Sequence, residues 1–299
     1  MGLQYRITGG SRVKAYSLGL YEKAMPSSLS WREKLKAAKD AGYDYVEISI
    51  DETEEKIGRL DMPGEERLDM IKAMYETGIP IRTMCVSALT KYSLGNDDPQ
   101  YSERGMKILE KSIQLADDLG VRVVMIPGYD VYYQPSTLET KRRYLQNLKK
   151  GVEMAEKAGV ILGLETMENE FMNTVEKAMK YVTLCGSNYL KVYPDIGNLT
   201  NAAVQYQSDV LEDLELGRGN ITSMHLKETK PGKYREIPYG TGHVDFEAAI
   251  KKAWEMGIRR YVTEFWYKGS ENWKEDLVFA NTMMSEILDR QSEGACEAE

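Results

Sequence analysis

Short apolar runs alternate with longer segments of helical period along the whole chain. The short runs predict eight β-strands, at 16–20, 45–50, 79–85, 121–126, 160–165, 190–195, 221–226 and 260–264. The longer segments repeat apolar residues every three to four positions and predict eight helices, at 29–41, 64–77, 99–119, 136–157, 174–185, 201–216, 246–256 and 270–291. Strict alternation of this kind is typical of a parallel sheet covered by helices.

Two arrangements of such a sheet are open: a doubly wound sheet and a closed barrel. No Gly-x-Gly-x-x-Gly sequence follows the first strand, so nothing supports a dinucleotide site of the Rossmann type. Polar residues gather at the carboxyl ends of strands all the way round, which favours a single (β/α)8 TIM barrel. We predict one domain over residues 1–299, with 1–13 as an N-terminal extension and 292–299 as a frayed tail.

The last four strands each end at a residue that can bind a metal. Glu165, Asp195 and Glu264 close the fifth, sixth and eighth runs, and His225 is the last polar residue of the seventh. Because parallel strands present their carboxyl ends on one face of a barrel, the four side chains are predicted to meet there. A carboxylate at a strand end is also a common helix cap, and a lone histidine in a strand is commonly a core residue. Their joint occurrence on neighbouring strands favours one divalent metal ion, with Mn²⁺, Mg²⁺, Co²⁺ and Zn²⁺ all open.

The two glutamates offer acid–base chemistry as well as metal ligation. Glu165 and Glu264 come from strands separated by two others, so they can flank a sugar chelated between them. Chelation polarises a ketone and acidifies the adjacent carbon. One carboxylate then removes a proton, and the other returns one to the opposite face, which is epimerisation. No organic cofactor is needed.

A basic segment follows the seventh strand. Since phosphate sites in such barrels often use the loops after strands seven and eight, Lys227 and Lys230 are the predicted phosphate ligands. A solvated charged loop is the alternative, and it is nearly as good an interpretation of Lys233 and Arg235.

Composition narrows the classes of partner and location. The net charge of −8 and the lack of a long basic stretch argue against nucleic-acid and anionic-membrane binding. No apolar run is long enough to span a bilayer, and the first residues lack an apolar signal core. Three scattered cysteines fit reduced thiols. We therefore expect a cytoplasmic protein.

With these residues in view, the chain resembles the L-ribulose-5-phosphate 3-epimerase family, also called L-xylulose-5-phosphate 3-epimerases, within the xylose isomerase-like barrels. The resemblance covers nearly the whole chain, and the most specific stretches are 18–26 (LGLYEKAMP), 46–53 (VEISIDET), 128–133 (GYDVYY), 193–199 (YPDIGNL) and 225–232 (HLKETKPG).

The resemblance implies a metal bound by Glu165, Asp195, His225 and Glu264, with the two glutamates as the acid–base pair. It also implies a pentulose 5-phosphate substrate, a place in ascorbate-type sugar-acid or pentose catabolism, and a homodimer. Asn198 stands where epimerases of free ketoses carry a histidine near the metal, which suits the phosphate-using branch and makes Asn198 a predicted substrate contact.

Three alternatives stay open from the sequence. The same enediolate chemistry serves an aldose–ketose isomerase or a hexulose-phosphate isomerase on this barrel. A DNA-repair endonuclease shares the fold, but such enzymes normally hold several metals with many histidines, and this chain has two. A barrel that only binds a sugar phosphate would have no use for the paired glutamates.

Overall fold

A computed structural model describes residues 14–297 of the chain. Eight parallel strands form one sheet in the order β6-β5-β4-β3-β2-β1-β8-β7. Their bounds are β1 Ser17–Tyr21, β2 Tyr45–Ser49, β3 Ile81–Cys85, β4 Val123–Pro127, β5 Ile161–Glu165, β6 Leu190–Tyr193, β7 Met224–Leu226 and β8 Arg260–Thr263. The predicted TIM barrel is confirmed.

Helices connect consecutive strands on the outside of the barrel. Within the described residues their bounds are α1 Trp31–Asp40, α2 Glu54–Gly58, α3 Gly64–Thr77, α4 Pro99–Leu119, α5 Leu138–Ala158, α6 Val175–Cys185, α7 Ile196–Tyr206, α8 Val210–Glu215, α9 Phe246–Glu255 and α10 Trp273–Glu297. None of these described helices has the length and apolar character needed to span a bilayer. Residues 1–13, predicted as an extension, lie outside the described residues. Helix α10 covers most of the segment 292–299.

The sixth connection, between β6 and β7, differs from the prediction of one helix at 201–216. Helix α7 starts directly after Asp195, whose side chain accepts a hydrogen bond from the Asn198 backbone amide. It ends at Tyr206, the next residue Gln207 has φ 52°, and the separate helix α8 follows. The early start places a carboxylate at the first turn of a helix, where the helix dipole favours negative charge.

The barrel closes at a weak junction between β6 and β7. Only two isolated bridges join them, Val192 to Ile221 and Asp195 to His225. The second bridge sets two of the four predicted metal ligands side by side. The junction therefore brings them together through backbone pairing as well as through side-chain contacts.

Aromatic side chains fill the barrel interior below the strand ends. Tyr45 and Tyr193 are buried there in a small apolar cluster that also contains Val123 and Met125. A Cβ atom at Gly19 would lie 2.4 Å from the Tyr45 ring, so only glycine fits at that position of β1. The Tyr45 and Tyr193 rings thus occupy part of the barrel interior.

A buried ionic cluster fixes the segment after β1. Glu22 is 1% exposed and accepts hydrogen bonds from Lys34 at 2.7 Å, Lys56 at 2.6 Å and Arg59 at 2.7 and 2.8 Å. It also accepts one from the Ser49 backbone amide at 2.9 Å. Burial acts to raise the pKa of Glu22, but the three cations hold it well below its usual range. One carboxylate thus ties β1 to α1, β2 and α2.

We expect Glu22→Gln to lower the free energy of unfolding by about 3–5 kcal/mol, because it leaves three cations buried without their counter-charge. Guanidinium titration followed by circular dichroism measures the change. The matched control is Glu76→Gln, which breaks a surface pair with Arg32 at 2.6 Å and is expected to cost less than about 1 kcal/mol. Equal losses for the two variants would contradict the structural role of Glu22.

Candidate metal centre

The ends of four strands deliver the predicted ligands to one point. Glu165 is the last residue of β5, Asp195 follows β6, His225 lies within β7 and Glu264 follows β8. All four are buried, and one ligand atom from each lies within 4.8 Å of the others. The structure therefore brings together the whole set that the sequence indicated.

His225 is held from both sides of its ring. Nδ1 lies 2.9 Å from Glu165 Oε1 and 3.2 Å from Glu264 Oε2. Nε2 lies 2.7 Å from Glu47 Oε1, and Glu47 Oε2 accepts a hydrogen bond of 2.9 Å from the Tyr193 hydroxyl. Nδ1 is thus the nitrogen that faces Glu165 and Glu264, the two carboxylates of the predicted metal set. Burial acts to lower the pKa of His225, but the Glu47 and Glu264 charges raise it well above its usual range.

Sequence reasoning gave Glu47 no role. It is fully buried behind the imidazole, and its contact with Nε2 is the arrangement that orients a metal-binding histidine in many proteins. The sequence does carry a sign of it, because Glu47 is a charged residue inside the apolar run 45–50. Its partner is 178 residues away, which the sequence does not reveal.

Lys227 adds a cation to the same cluster. Its ammonium forms an ion pair with Asp195 Oδ2 and lies 3.5 Å from Glu264 Oε2. Its side chain is 5% exposed. Lys227 comes two residues after His225, so both side chains point to the same face of the chain at the end of β7.

The three carboxyl groups of Glu165, Asp195 and Glu264 and the ammonium of Lys227 shift one another's pKa values. Burial raises the pKa of Glu165, and burial raises that of Asp195 to about 7 although Lys227 opposes it. Burial also acts to raise the pKa of Glu264, but Lys227 and His225 hold it well below its usual range. Burial acts to lower the pKa of Lys227, but the surrounding carboxylates raise it. The cluster contains more negative charge than its own cations balance.

The donor set fits a divalent metal. Asp195 Oδ2 and Glu264 Oε2 are buried beside the Lys227 ammonium, yet neither accepts a hydrogen bond within residues 14–297. One ammonium offsets one negative charge, and the remaining buried carboxylates are costly unless a further cation compensates them. Three carboxylates and one imidazole suit Mn²⁺, Mg²⁺, Co²⁺ or Zn²⁺.

A cavity of about 400 Å³ opens above the cluster, and Glu165, Lys227 and Glu264 lie in its lining. Its walls include Lys23, Asp51, Glu52, Tyr132, Tyr133, Arg235 and Trp266. This volume is in the usual range for a small-molecule site. Of the aromatic residues near the strand ends, Tyr129 is buried and bonds to Glu168, whereas Tyr132 and Tyr133 face the cavity.

Two of the three predicted substrate contacts are placed away from this cavity. Lys230 is exposed, and Asn198 is buried with its amide nitrogen donating to the Thr166 carbonyl at 2.8 Å. Neither side chain lines the cavity as the described residues form it. The loop after β7 turns outward at Lys230, and Asn198 belongs to the first turn of α7. Lys23 and Arg235 are the basic residues on the cavity wall. The sequence left Arg235 open between a phosphate contact and a solvated loop, and it gave Lys23 no role.

Comparison with known proteins gives a consistent result. The family model "Xylose isomerase-like TIM barrel" matches residues 35–283. The chain is 41% identical over 268 residues to L-ribulose-5-phosphate 3-epimerase UlaE of Shigella sonnei (strain Ss046), covering 89% of this chain and 93% of that protein. It is 41% identical over 260 residues to the protein of the same name from Escherichia coli (strain SE11), covering 87% and 90%.

Solved structures share the fold at lower identity. A structure of L-ribulose 3-epimerase superposes with a TM-score of 0.74 at 20% identity, covering 95% of this chain and 98% of the other. A structure of D-psicose 3-epimerase in the presence of D-fructose superposes with a TM-score of 0.75 at 16% identity, covering 91% and 99%.

We expect Glu47→Gln to weaken Mn²⁺ binding by about 10- to 100-fold, because an amide that donates to Nε2 leaves the proton on Nδ1. Calorimetric titration of metal-stripped protein measures the affinity. Tyr193→Phe is the matched control, since it removes the hydrogen bond to Glu47 Oε2 but leaves the one between Oε1 and His225, and a smaller loss is expected. Unchanged affinity in Glu47→Gln would show that this carboxylate does not orient the histidine.

Proposed function

We propose that this chain, which belongs to the L-ribulose-5-phosphate 3-epimerase family of xylose isomerase-like TIM barrels, interconverts L-ribulose 5-phosphate and L-xylulose 5-phosphate with one divalent metal ion. Relatives that are 41% identical over most of both chains support the substrate. The chemistry of the site supports the reaction.

One observation carries the proposal: two carboxylates reach the same cavity from β5 and β8, which are separated by β6 and β7. The His225 ring nitrogen stands between them, 2.9 Å from Glu165 and 3.2 Å from Glu264. A ketose held over this point has a carboxylate toward each of two faces. Inversion at one carbon requires that arrangement, because the proton must leave one face and return to the other.

A divalent metal held by Glu165, Asp195, His225 and Glu264 would supply polarisation of the C2 carbonyl and stabilisation of negative charge on oxygen. The protein's own groups move the protons. One glutamate removes the proton from C3, which leaves an enediolate, and the other donates a proton to C3 from the opposite side. The two epimers carry their C3 hydrogens on opposite faces. The glutamate that is the base for one epimer is therefore the acid for the other.

We assign the phosphate to the basic residues of the cavity wall. The Lys23 and Arg235 side chains are 26% and 49% exposed and lie beside Asp51 and Glu168 in ion pairs of 2.7 and 3.0 Å. A substrate phosphate can replace Asp51 and Glu168 as the ion-pair partner of Lys23 and Arg235 at the solvent side of the cavity. Lys227 lies at the floor among the carboxylates instead.

Three further parts of the proposal concern the metabolic role, the cellular location and the oligomeric state. Family membership supports a role in L-ascorbate-type sugar-acid catabolism and a cytoplasmic location, and we propose that the enzyme is a homodimer. Sedimentation of the purified protein tests the oligomeric state.

We expect L-ribulose 5-phosphate in D₂O with Mn²⁺ to give L-xylulose 5-phosphate with deuterium at C3, because the returning proton comes from a carboxylate that exchanges with solvent. NMR of the product identifies the labelled carbon. Label at C1 of the recovered ketose, with an aldopentose product labelled at C2, would establish an aldose–ketose isomerase instead. Absence of both exchange and product would indicate a protein that binds sugar phosphate without turnover. Unphosphorylated L-ribulose is the control for the phosphate requirement.

We expect Glu165→Gln and Glu264→Gln each to reduce epimerisation by about 10²- to 10⁴-fold, since each removes one of two proton carriers. The remaining glutamate still exchanges the C3 hydrogen of the epimer that it faces. The two variants should therefore catalyse C3 exchange in D₂O with opposite epimers, at matched metal occupancy. Exchange with the same epimer in both variants would contradict the two-carboxylate mechanism. Asp195→Asn, which removes a ligand but no proton carrier, should slow both exchanges alike.

A further inference from the structure

Lys227 lies on the cavity floor, and the acid–base mechanism gives it no part. Its side chain is 5% exposed, yet it lines the cavity together with Glu165 and Glu264. A buried ammonium is costly unless carboxylates surround it, and here they belong to the predicted metal set. We propose that Lys227 is a resident cation of the catalytic site, which competes with the metal for Asp195 and Glu264 and stabilises the enediolate during turnover. The second half of this proposal rests on the proposed function.

The charges of the site require a further cation beside a divalent metal. Glu47, Glu165, Asp195 and Glu264 place four carboxyl groups in one buried cluster. A divalent ion offsets two negative charges, and a neutral metal-binding histidine offsets none. Lys227 is the one ammonium or guanidinium that the described residues place in direct contact with these carboxylates. It therefore reduces the excess of negative charge that a bound sugar phosphate would meet.

The position of Lys227 also fits the movement of charge in the reaction. When a glutamate takes the C3 proton, its negative charge passes to the oxygens of the substrate. An ammonium 3.5 Å from Glu264 Oε2 is close to the origin of that charge and borders the cavity that receives it. A fixed cation in a site of low dielectric stabilises such developing charge more strongly than water does.

The same geometry argues against a phosphate at Lys227. A phosphate dianion within hydrogen-bond reach of its ammonium would also lie against Asp195 and Glu264. Repulsion between like charges a few ångströms apart is strong inside a protein. Lys23 and Arg235 lie at the solvent side of the cavity, where the phosphate can bind without contacting Asp195 and Glu264.

The test is Lys227→Met, which keeps most of the side-chain volume and removes the charge. Lys230→Met is the matched control, three residues along the chain and exposed. We expect Lys227→Met to bind Mn²⁺ about tenfold more tightly in calorimetric titrations of metal-stripped protein, because a competing unit charge is gone. We expect its kcat for L-ribulose 5-phosphate to fall by about 10²- to 10³-fold, with KM changed less than about threefold. Lys230→Met should match the wild type in both measurements.

Each other result overturns a stated part of the proposal. Weaker Mn²⁺ binding would mean that Lys227 positions Asp195 for the metal. Normal kcat with a KM raised only for phosphorylated ketose would make it a phosphate ligand. If Lys227→Met does not fold, Lys227→Arg and Lys227→Gln replace it, and a Gln variant as active as the Arg variant would contradict a role for charge. The Mn²⁺ titration needs no substrate, so it tests the competition even if the wild type fails to epimerise the pentulose phosphate.

Discussion

The contact between the His225 imidazole and the carboxylates around it is the interaction on which the site depends. Glu47 holds Nε2 at 2.7 Å, and Nδ1 is thereby turned toward Glu165 and Glu264. Without that orientation the strand ends would present three carboxylates that repel one another in a buried space. With it, they form a cluster that a single divalent ion can complete.

The four residues of this cluster come together where the barrel closes, at the junction of β6 and β7. Strand β7 is short, and its connection to β6 consists of isolated bridges, one of which pairs Asp195 with His225. Backbone pairing thus sets the register of two ligands, and the flanking strands β5 and β8 add the glutamates. The Tyr45 ring is buried in the barrel interior, and the Tyr193 ring packs beside the His225 imidazole. The ionic cluster at Glu22 fixes the first connection beside the same face.

The sequence was informative wherever local pattern decides structure. All eight strands follow from apolar runs, and their polar last residues identified Glu165, Asp195, His225 and Glu264. It was uninformative where a contact joins distant segments. Glu47 meets His225 across 178 residues, and the pairing of Lys227 with Asp195 depends on the β6–β7 junction. The sixth connection splits into α7 and α8 at Gln207, whose backbone is left-handed, a conformation that this residue type seldom adopts.

The assignment of basic residues shows the same limit. Lys230 and Arg235 lie in one loop, and the sequence favoured Lys230 as the phosphate ligand. The fold turns Lys230 to solvent, whereas Arg235 lines the cavity and forms an ion pair with Glu168. The charge balance of a site is therefore a property of the folded chain. Here Glu165 and Glu264 lie at the floor of the cavity, where proton transfer is proposed, and the phosphate is assigned to basic residues of the wall.

The most direct test of the account is anomalous diffraction from crystals of the protein loaded with Mn²⁺. We expect one manganese peak, bounded by carboxylate oxygens of Glu165, Asp195 and Glu264 and by Nδ1 of His225, with Nε2 still bonded to Glu47. A peak coordinated through Nε2, or one at a different place in the barrel, would contradict it.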